Sequence, residues 1–375
     1  MESRFCSIKG WMLVVILFSL AAPLQAQPTT DSKVELEKGL KLLYRDVEPA
    51  RNFEQLIQNA SLFKAKFDTL VNSVAMPKVT FKKINGWTRE LEFDSLVQRE
   101  NHPANKVRGF LYEPMIPKHD DVKFPATLII HHIADDIRPE QIVASMTAAT
   151  RDSVTMVIYL PHFGVRKGAE QYLTDVPQDF ELNILQSLTD IHQAGQILKA
   201  SPLSDPHRIQ LLGFSLGGVL TLMSAGLDHF FDRYLTIVGG GDMAHLLAYP
   251  KEKDPQSEIS MALKNINADE SQGREYMSRF DAISWAYAVH GKSIVMLNAE
   301  SDELIDRKLS VDKLLMAYRE NGNDVDSIIY KGTHRPQFNM MTIWELTRKL
   351  LPSLRKFMTD PISAEKLKTL DEMRH

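Results

Sequence analysis

The 375-residue chain contains a single cysteine, Cys6. It precedes an apolar stretch at the N-terminus, so past that stretch disulfides, thiolate metal sites and a cysteine nucleophile are excluded. A cysteine-free body suits an oxidising compartment, where nothing can mispair. The chain also lacks a long basic run or a basic–aromatic stripe, and 44 Lys and Arg against 48 Asp and Glu leave a formal charge of −4. Nucleic acid is therefore not an expected partner. The H-E-x-x-H spacing, the phosphate loop G-x-x-x-x-G-K-S/T and the dinucleotide fingerprint G-x-G-x-x-G are all missing. Long hydrophobic runs are scarce as well. The prominent one, residues 11–22, is too short for a comfortable membrane span.

That run has the grammar of a secretory leader. Arg4 and Lys9 precede it, and Leu24-Gln25-Ala26 offers a small residue for cleavage. Residues 1–26 are read as a signal peptide, with an uncleaved anchor as the rival, and a secreted or periplasmic protein with no stable membrane span after cleavage is expected. Loss of Arg4, Lys9 and Glu2 removes two positive charges and one negative, taking the formal charge from −4 to −5.

The remaining composition, 44% hydrophobic and 25% charged, is that of a globular protein. In residues 27–77, Leu36, Leu40, Leu43 and Val47, then Leu56, Ile57, Phe63, Phe67 and Leu70, recur at helical spacing. Glu48-Pro49 separates two helices of an N-terminal extension. From residue 78 the period falls to two, with Asn85-Gly86 as a hairpin turn. A strand at 106–112 follows. Beyond it strands at 126–131, 154–160, 209–212, 234–238, 293–297 and 327–330 alternate with helices at 139–150, 179–200, 311–321 and 342–357. This alternation predicts an α/β domain over 78–360, with a mostly parallel central sheet and helices on both faces. Its site is expected beyond the C-terminal strand ends. Residues 242–290 are longer than a plain connection and are read as an inserted helical cap; 361–375 form a polar tail.

The chemistry centres on Gly213-Phe214-Ser215-Leu216-Gly217-Gly218, which follows an apolar strand and opens an apolar helix. In a strand–turn–helix of type G-x-S-x-G the serine sits in a strained turn with its hydroxyl exposed. A serine hydroxyl needs a base, and the base an orienting group. His334 lies just past the last predicted strand, in Gly332-Thr333-His334. Asp302 follows the strand before it, with Glu300, Glu303 and Asp306 as nearby competitors. Ser215, Asp302 and His334 stand in one of the known triad orders.

On these residues the chain resembles the α/β-hydrolase superfamily over roughly 105–355. The resemblance implies a serine hydrolase, most simply a carboxylesterase acting on a small-molecule or lipid-like acyl substrate, with no cofactor. It also implies an oxyanion hole whose first donor is the N–H of Leu216. The second comes from the loop after strand 126–131. Many members carry His-Gly-x there, whereas this chain reads His131-His132-Ile133. Ile133 becomes the donor candidate, while His132 and His162 are candidates for contact with substrate. The same triad would serve a peptidase or acyltransferase, and a non-catalytic binding protein on this scaffold is a further alternative. Metal chemistry is the rival, with His131, His132, Asp135, Asp136 and His162 as its ligand pool. Adjacent residues of an extended segment point to opposite sides, however, so His131 and His132 do not ligate together easily. EDTA treatment of the purified protein is therefore expected to leave hydrolysis of p-nitrophenyl esters intact; strong inhibition would favour the metal.

Overall fold

The structure, a computed structural model, describes residues 30–47, 52–74, 76–114, 123–151, 153–169, 172–173, 177–253 and 270–334. The expected leader at 1–26, the helix at 342–357, the tail and the middle of the expected cap lie outside the described residues.

Among the described residues nine strands form one sheet. In chain order they are β1 (Thr80–Lys83), β2 (Thr88–Asp94), β3 (Lys106–Tyr112), β4 (Phe124–Ile130), β5 (Val154–Ile158), β6 (Ser204–Phe214), β7 (Arg233–Ile237), β8 (Ser293–Ala299) and β9 (Asp324–Tyr330). Their spatial order is β1-β2-β3-β5-β4-β6-β7-β8-β9. The first three strands pair antiparallel with one another, and β3 pairs antiparallel with β5. From β5 to β9 every pairing is parallel. This is the mostly parallel sheet that the alternating pattern predicts.

β4, β5 and β7 are buried along their whole length. Such strands have no solvent side and so read as apolar runs rather than alternations. Their side chains still alternate between two cores. Leu128, Ile130, Met156 and Leu211 join one. Ile129, Val157, Leu212 and Val295 join the other. Helices α4 (Pro177–Ala200) and α5 (Leu216–Leu227) cover the first face, while α3 (Arg138–Arg151) lies on the second. Every residue of α5 is buried.

The extension consists of α1 (Thr30–Leu43) and α2 (Phe53–Asn72). α1 crosses the chain so closely that a Cβ on Gly39 would lie 2.0 Å from the Ser284 carbonyl oxygen. Two short helices, α6 (Met243–Lys253) and α7 (Glu270–Met277), pack together within the predicted cap region. The last described helix, α8 (Asp312–Glu320), follows a π-helical turn at Arg307–Val311, where Asp306 accepts from the Leu309 N–H at 2.8 Å. Among the described residues no helix is long and apolar enough to cross a membrane.

A buried ion pair ties the antiparallel edge to the parallel core. Arg166 and Asp190 meet at 2.7 Å with both side chains fully buried. Arg166 also donates to the carbonyls of Tyr159 and Ala104, and Asp190 accepts from Ser95 Oγ at 2.6 Å. Removing one member of such a pair strands a buried charge at a cost of roughly 3–5 kcal/mol, whereas replacing both with apolar groups costs far less. Asp190→Ala is accordingly expected to lower the unfolding free energy by about that amount in urea titrations. The Arg166→Met/Asp190→Leu double variant should recover most of it.

Candidate active site

The strand–turn–helix around Ser215 is built by close contacts. β6 ends at Phe214 and α5 begins at Leu216, so Ser215 alone makes the turn. It takes φ 51° and ψ −112°, a region that side-chain-bearing residues seldom occupy. Glycines make the turn sterically feasible. A Cβ on Gly213 would sit 2.0 Å from the Gly217 oxygen, and one on Gly217 would sit 2.3 Å from the Ile130 oxygen. The turn is pinned to both neighbouring strand ends: Ser215 N–H donates to Ile237 O at 2.9 Å, and Gly217 N–H donates to His131 O at 3.1 Å. Gly239, in the triple-glycine turn after β7, lets that backbone lie against Gly218.

Two loops bring the other groups to Ser215. His334 Nε2 lies 2.8 Å from Ser215 Oγ. His334 Nδ1 lies 2.9 and 3.0 Å from the two oxygens of Asp302. Asp302 Oδ1 also accepts from the N–H groups of Leu304 at 2.9 Å and Ile305 at 2.8 Å, which fixes the carboxylate from behind. The loops are joined by Ser301 N–H to Gly332 O at 3.0 Å and Glu300 N–H to Tyr330 O at 2.9 Å. The rival acids go elsewhere: Glu303 accepts from the His334 backbone N–H at 3.0 Å, and Asp306 caps the π-helical turn. Both side chains of the His334–Asp302 pair are about 95% buried, at 5% and 4% exposure.

The serine and histidine open on a cleft of about 80 Å³ whose described walls are otherwise apolar, among them Ile133, Leu173, Leu216, Met243, Leu246 and Leu304. Met243 and Leu246 come from α6, so that helix forms one wall. A buried ionic cluster seats that helix. Asp281 accepts from the Asp242 and Met243 N–H groups, and Arg274 Nε bonds both oxygens of Asp242. Burial, with the neighbouring Asp242 charge, raises Asp281 to about 6.

The loop after β4 supplies the opposite wall. Its two histidines point apart. His131 is wholly buried, accepts from the Leu160 N–H on Nε2 at 2.9 Å and therefore donates from Nδ1 to His132 O. His132 is partly exposed, and its Nδ1 lies 2.6 Å from Glu140. His132 O also accepts from the Ala134 N–H at 2.9 Å. Ile133 and Leu216 meet at the cleft, and the N–H of neither has a hydrogen-bond partner among the described residues. His162 does not join the cleft. Its Nε2 lies 2.9 Å from Asn183 Oδ1, and its ring packs 4.9 Å from that of His102. His132 is likewise not among the residues that wall the cleft. Of the metal ligand pool, Asp135 pairs with Lys167 and Asp136 with Arg138. Among the described residues no group of three or more His, Cys, Asp or Glu could hold a metal ion.

Glu140 and the Asp242–Arg274–Asp281 cluster are not marked in the sequence because their partners lie on other elements, and Glu303, a competitor for the place of Asp302, instead holds the His334 backbone. The spacing of Glu140 in the first turn after the His-His loop was the one available signal. As a chemical arrangement, Ser215, His334 and Asp302 provide a hydroxyl, an imidazole to take its proton, and a fixed carboxylate behind the imidazole.

No family model matches the chain. The thiohydrolase apmlB of Arthrinium phaeospermum is 31% identical over 127 residues, which cover 32% of this chain and 35% of that protein. The chain thus matches about a third of the length of this curated relative. Solved structures align over most of the chain. An acetyl xylan esterase from Paenibacillus sp. R4 is similar over 84% of this chain and 98% of its own, at 15% identity and TM-score 0.58. Acetyl xylan esterase 1 from Thermoanaerobacterium sp. JW/SL YS485 is similar over 79% and 93%, at 13% identity and TM-score 0.56. The Pyrococcus horikoshii acylaminoacyl peptidase is similar over 77% of this chain and 42% of its own, at 14% identity and TM-score 0.53.

His131 gives the site a dependence on acid. Burial depresses its pKa from 6.5 to about 4. A base whose folded pKa is lowered binds its proton more readily unfolded. Its contribution is complete above pH 6.5 and is lost as pH falls towards 4. At about 1.4 kcal/mol per unit this amounts to about 3 kcal/mol. Urea midpoints of the wild type should fall over that window, and His131→Leu should show a shallower slope there.

Proposed function

We propose, on the premise that the chain has the α/β-hydrolase fold, that it is a serine hydrolase cleaving an acyl bond, most simply a carboxylic ester. The observation that carries this reading is the continuous hydrogen-bond chain from Ser215 Oγ through His334 to Asp302, at 2.8 and 2.9 Å, above an apolar cleft. Ser215 Oγ attacks the acyl carbon as His334 Nε2 takes its proton. The N–H groups of Leu216 and Ile133 receive the charge that develops on the carbonyl oxygen. The tetrahedral intermediate collapses, the C–O bond to the alcohol breaks, and His334 hands its proton to the departing oxygen. A water molecule, deprotonated by His334, then opens the acyl-enzyme and restores Ser215. Asp302 holds Nδ1–H and stabilises the imidazolium in both halves. The dipole of α5, with its N-terminus at Leu216, favours the oxyanion.

The apolar cleft suits an acyl group without charge. The esterase neighbours bear on the choice of ester, while the thiohydrolase relative and the peptidase neighbour make thioesters and amides the comparison substrates. Export by the 1–26 leader, and with it a secreted or periplasmic location, belongs to the same proposal.

Ser215→Ala is expected to abolish turnover of p-nitrophenyl acyl esters and labelling by a fluorophosphonate probe; retained labelling overturns the assignment. Asp302→Asn should lower kcat by roughly 10⁴-fold by favouring the wrong tautomer of His334. Parallel assays on an ester, a thioester and an aminoacyl amide with a common acyl group rank the leaving groups.

A further inference from the structure

The loop that follows β4 departs from the His-Gly-x pattern by placing a β-carbon at position 132. Such a residue restricts the backbone just where the second oxyanion donor must be aimed. The surroundings of His132 account for every polar group it has on the backbone. His132 N–H donates to Glu140 Oε1 at 3.2 Å, and His132 O accepts from both His131 Nδ1 and the Ala134 N–H. The ring adds a third tether, with Nδ1 2.6 Å from the same Glu140 oxygen. Glu140 stands in the first turn of α3 and is 1% exposed. Burial alone would raise its carboxyl, but His132 and His131 offset this and hold it below the ordinary carboxylate value. An ionised carboxylate only accepts, so Nδ1 of His132 carries the proton. A single oxygen of Glu140 thus grips the backbone and the ring of one residue, and the next residue is Ile133. The Ile133 N–H itself has no partner among the described residues, and it lies at the cleft that also holds Ser215 and Leu216.

We infer that Glu140 is a positioning residue for the oxyanion hole: through His132 it locks the loop so that the Ile133 N–H faces the reacting carbonyl. The inference rests on the proposed serine hydrolase reading and deepens it. In this chain a side-chain clamp does what conformational freedom at a glycine would otherwise allow. The clamp acts on the transition state, because the donor it aims matters most when charge appears on the carbonyl oxygen. Substrate binding in the apolar cleft is not its task.

The test uses Glu140→Leu, which replaces a buried carboxylate with an apolar group of similar size, together with Glu140→Gln, His132→Phe and the Glu140→Leu/His132→Phe pair. Loss of one oxyanion donor costs roughly 10²–10³-fold in kcat, so a misaimed donor should cost on the order of 10- to 100-fold. Glu140→Leu is expected to show that fall in kcat with KM within about two-fold. The rate of fluorophosphonate inactivation should fall in parallel. Glu140→Gln keeps an acceptor oxygen and should restore most of the rate. His132→Phe should lower kcat by itself, and the double variant should be no slower than Glu140→Leu, since both cut one linkage. Unchanged kcat in Glu140→Leu or His132→Phe overturns the inference, as does a loss confined to KM or strict additivity in the double variant. If Glu140→Leu does not fold, the partly exposed His132→Phe decides it by the same criteria: a roughly 10- to 100-fold fall in kcat with KM held supports the clamp, and an unchanged kcat overturns it. Ser215→Ala separates the two readings: turnover that survives it defeats the hydrolase assignment, whereas a dead Ser215→Ala beside a fully active Glu140→Leu defeats the clamp alone.

Discussion

The site depends on one backbone conformation, the positive φ of Ser215. An isolated peptide would not hold it, since residues in such regions cost of order 1–3 kcal/mol and persist only when their surroundings over-determine them. Here the surroundings do so from both sides. Ile237 at the end of β7 takes the Ser215 N–H, and His131 at the end of β4 takes the Gly217 N–H. The two strands flank β6 in the sheet, so their register fixes the turn. α5 can then begin at once, packed so closely on the strand ends that glycine is required at 213 and 217. Sheet order, glycine placement and helix burial all serve the same turn.

The histidines around this turn show how burial and partner choice divide labour among identical side chains. His334 meets Asp302 on one nitrogen and a hydroxyl on the other, the arrangement needed for a group that passes protons. His131 has a backbone N–H on one nitrogen and a carbonyl on the other, and burial keeps it neutral down to about pH 4. It is a structural peg between β4, the loop at Leu160 and the Ser215 turn. His132, one residue on, faces a carboxylate instead. His162 is drawn to Asn183 on α4, away from the cleft.

What could be read from the sequence follows from how local each feature is. The Ser215 turn announces itself within six residues, because strand, glycines and helix are consecutive. Asp302 and His334 were legible through order and position after strands, even though Glu300, Glu303 and Asp306 offered the same chemistry nearby. The fold class was legible because burial on both faces turns β4, β5 and β7 into apolar runs. Element ends were less so. β6 begins at Ser204 rather than 209: Ser204 pairs with Phe124, Asp205-Pro206-His207-Arg208 break the apolar pattern where the register shifts, and pairing with β4 resumes at Ile209 opposite Ala126. The side chains that hold the site in place were not legible. Arg166 finds Asp190 and Ala104, and Arg274 finds Asp242, across 24, 62 and 32 residues. No periodicity marks such pairs, because a single buried charge needs only one partner in space.

The α6 wall illustrates how these hidden pairs reach the candidate site. Met243 and Leu246 can wall the cleft only if α6 starts where Asp281 receives its first N–H groups. Asp281 and Asp242 are both buried and would repel one another. Arg274 bridges to Asp242, and Lys313 adds a second positive charge that favours it. Lys313 in turn donates to Leu43 O at the end of α1 and pairs with Asp46 at 3.4 Å. The N-terminal extension is thereby coupled electrostatically to the wall of the cleft without touching Ser215. Such a cluster is costly to bury, and its net stability is small or negative compared with an apolar core. Its geometric demands are strict, however. An apolar wall alone could slide along the sheet edge, whereas one anchored by directional bonds meets the cleft at a fixed register.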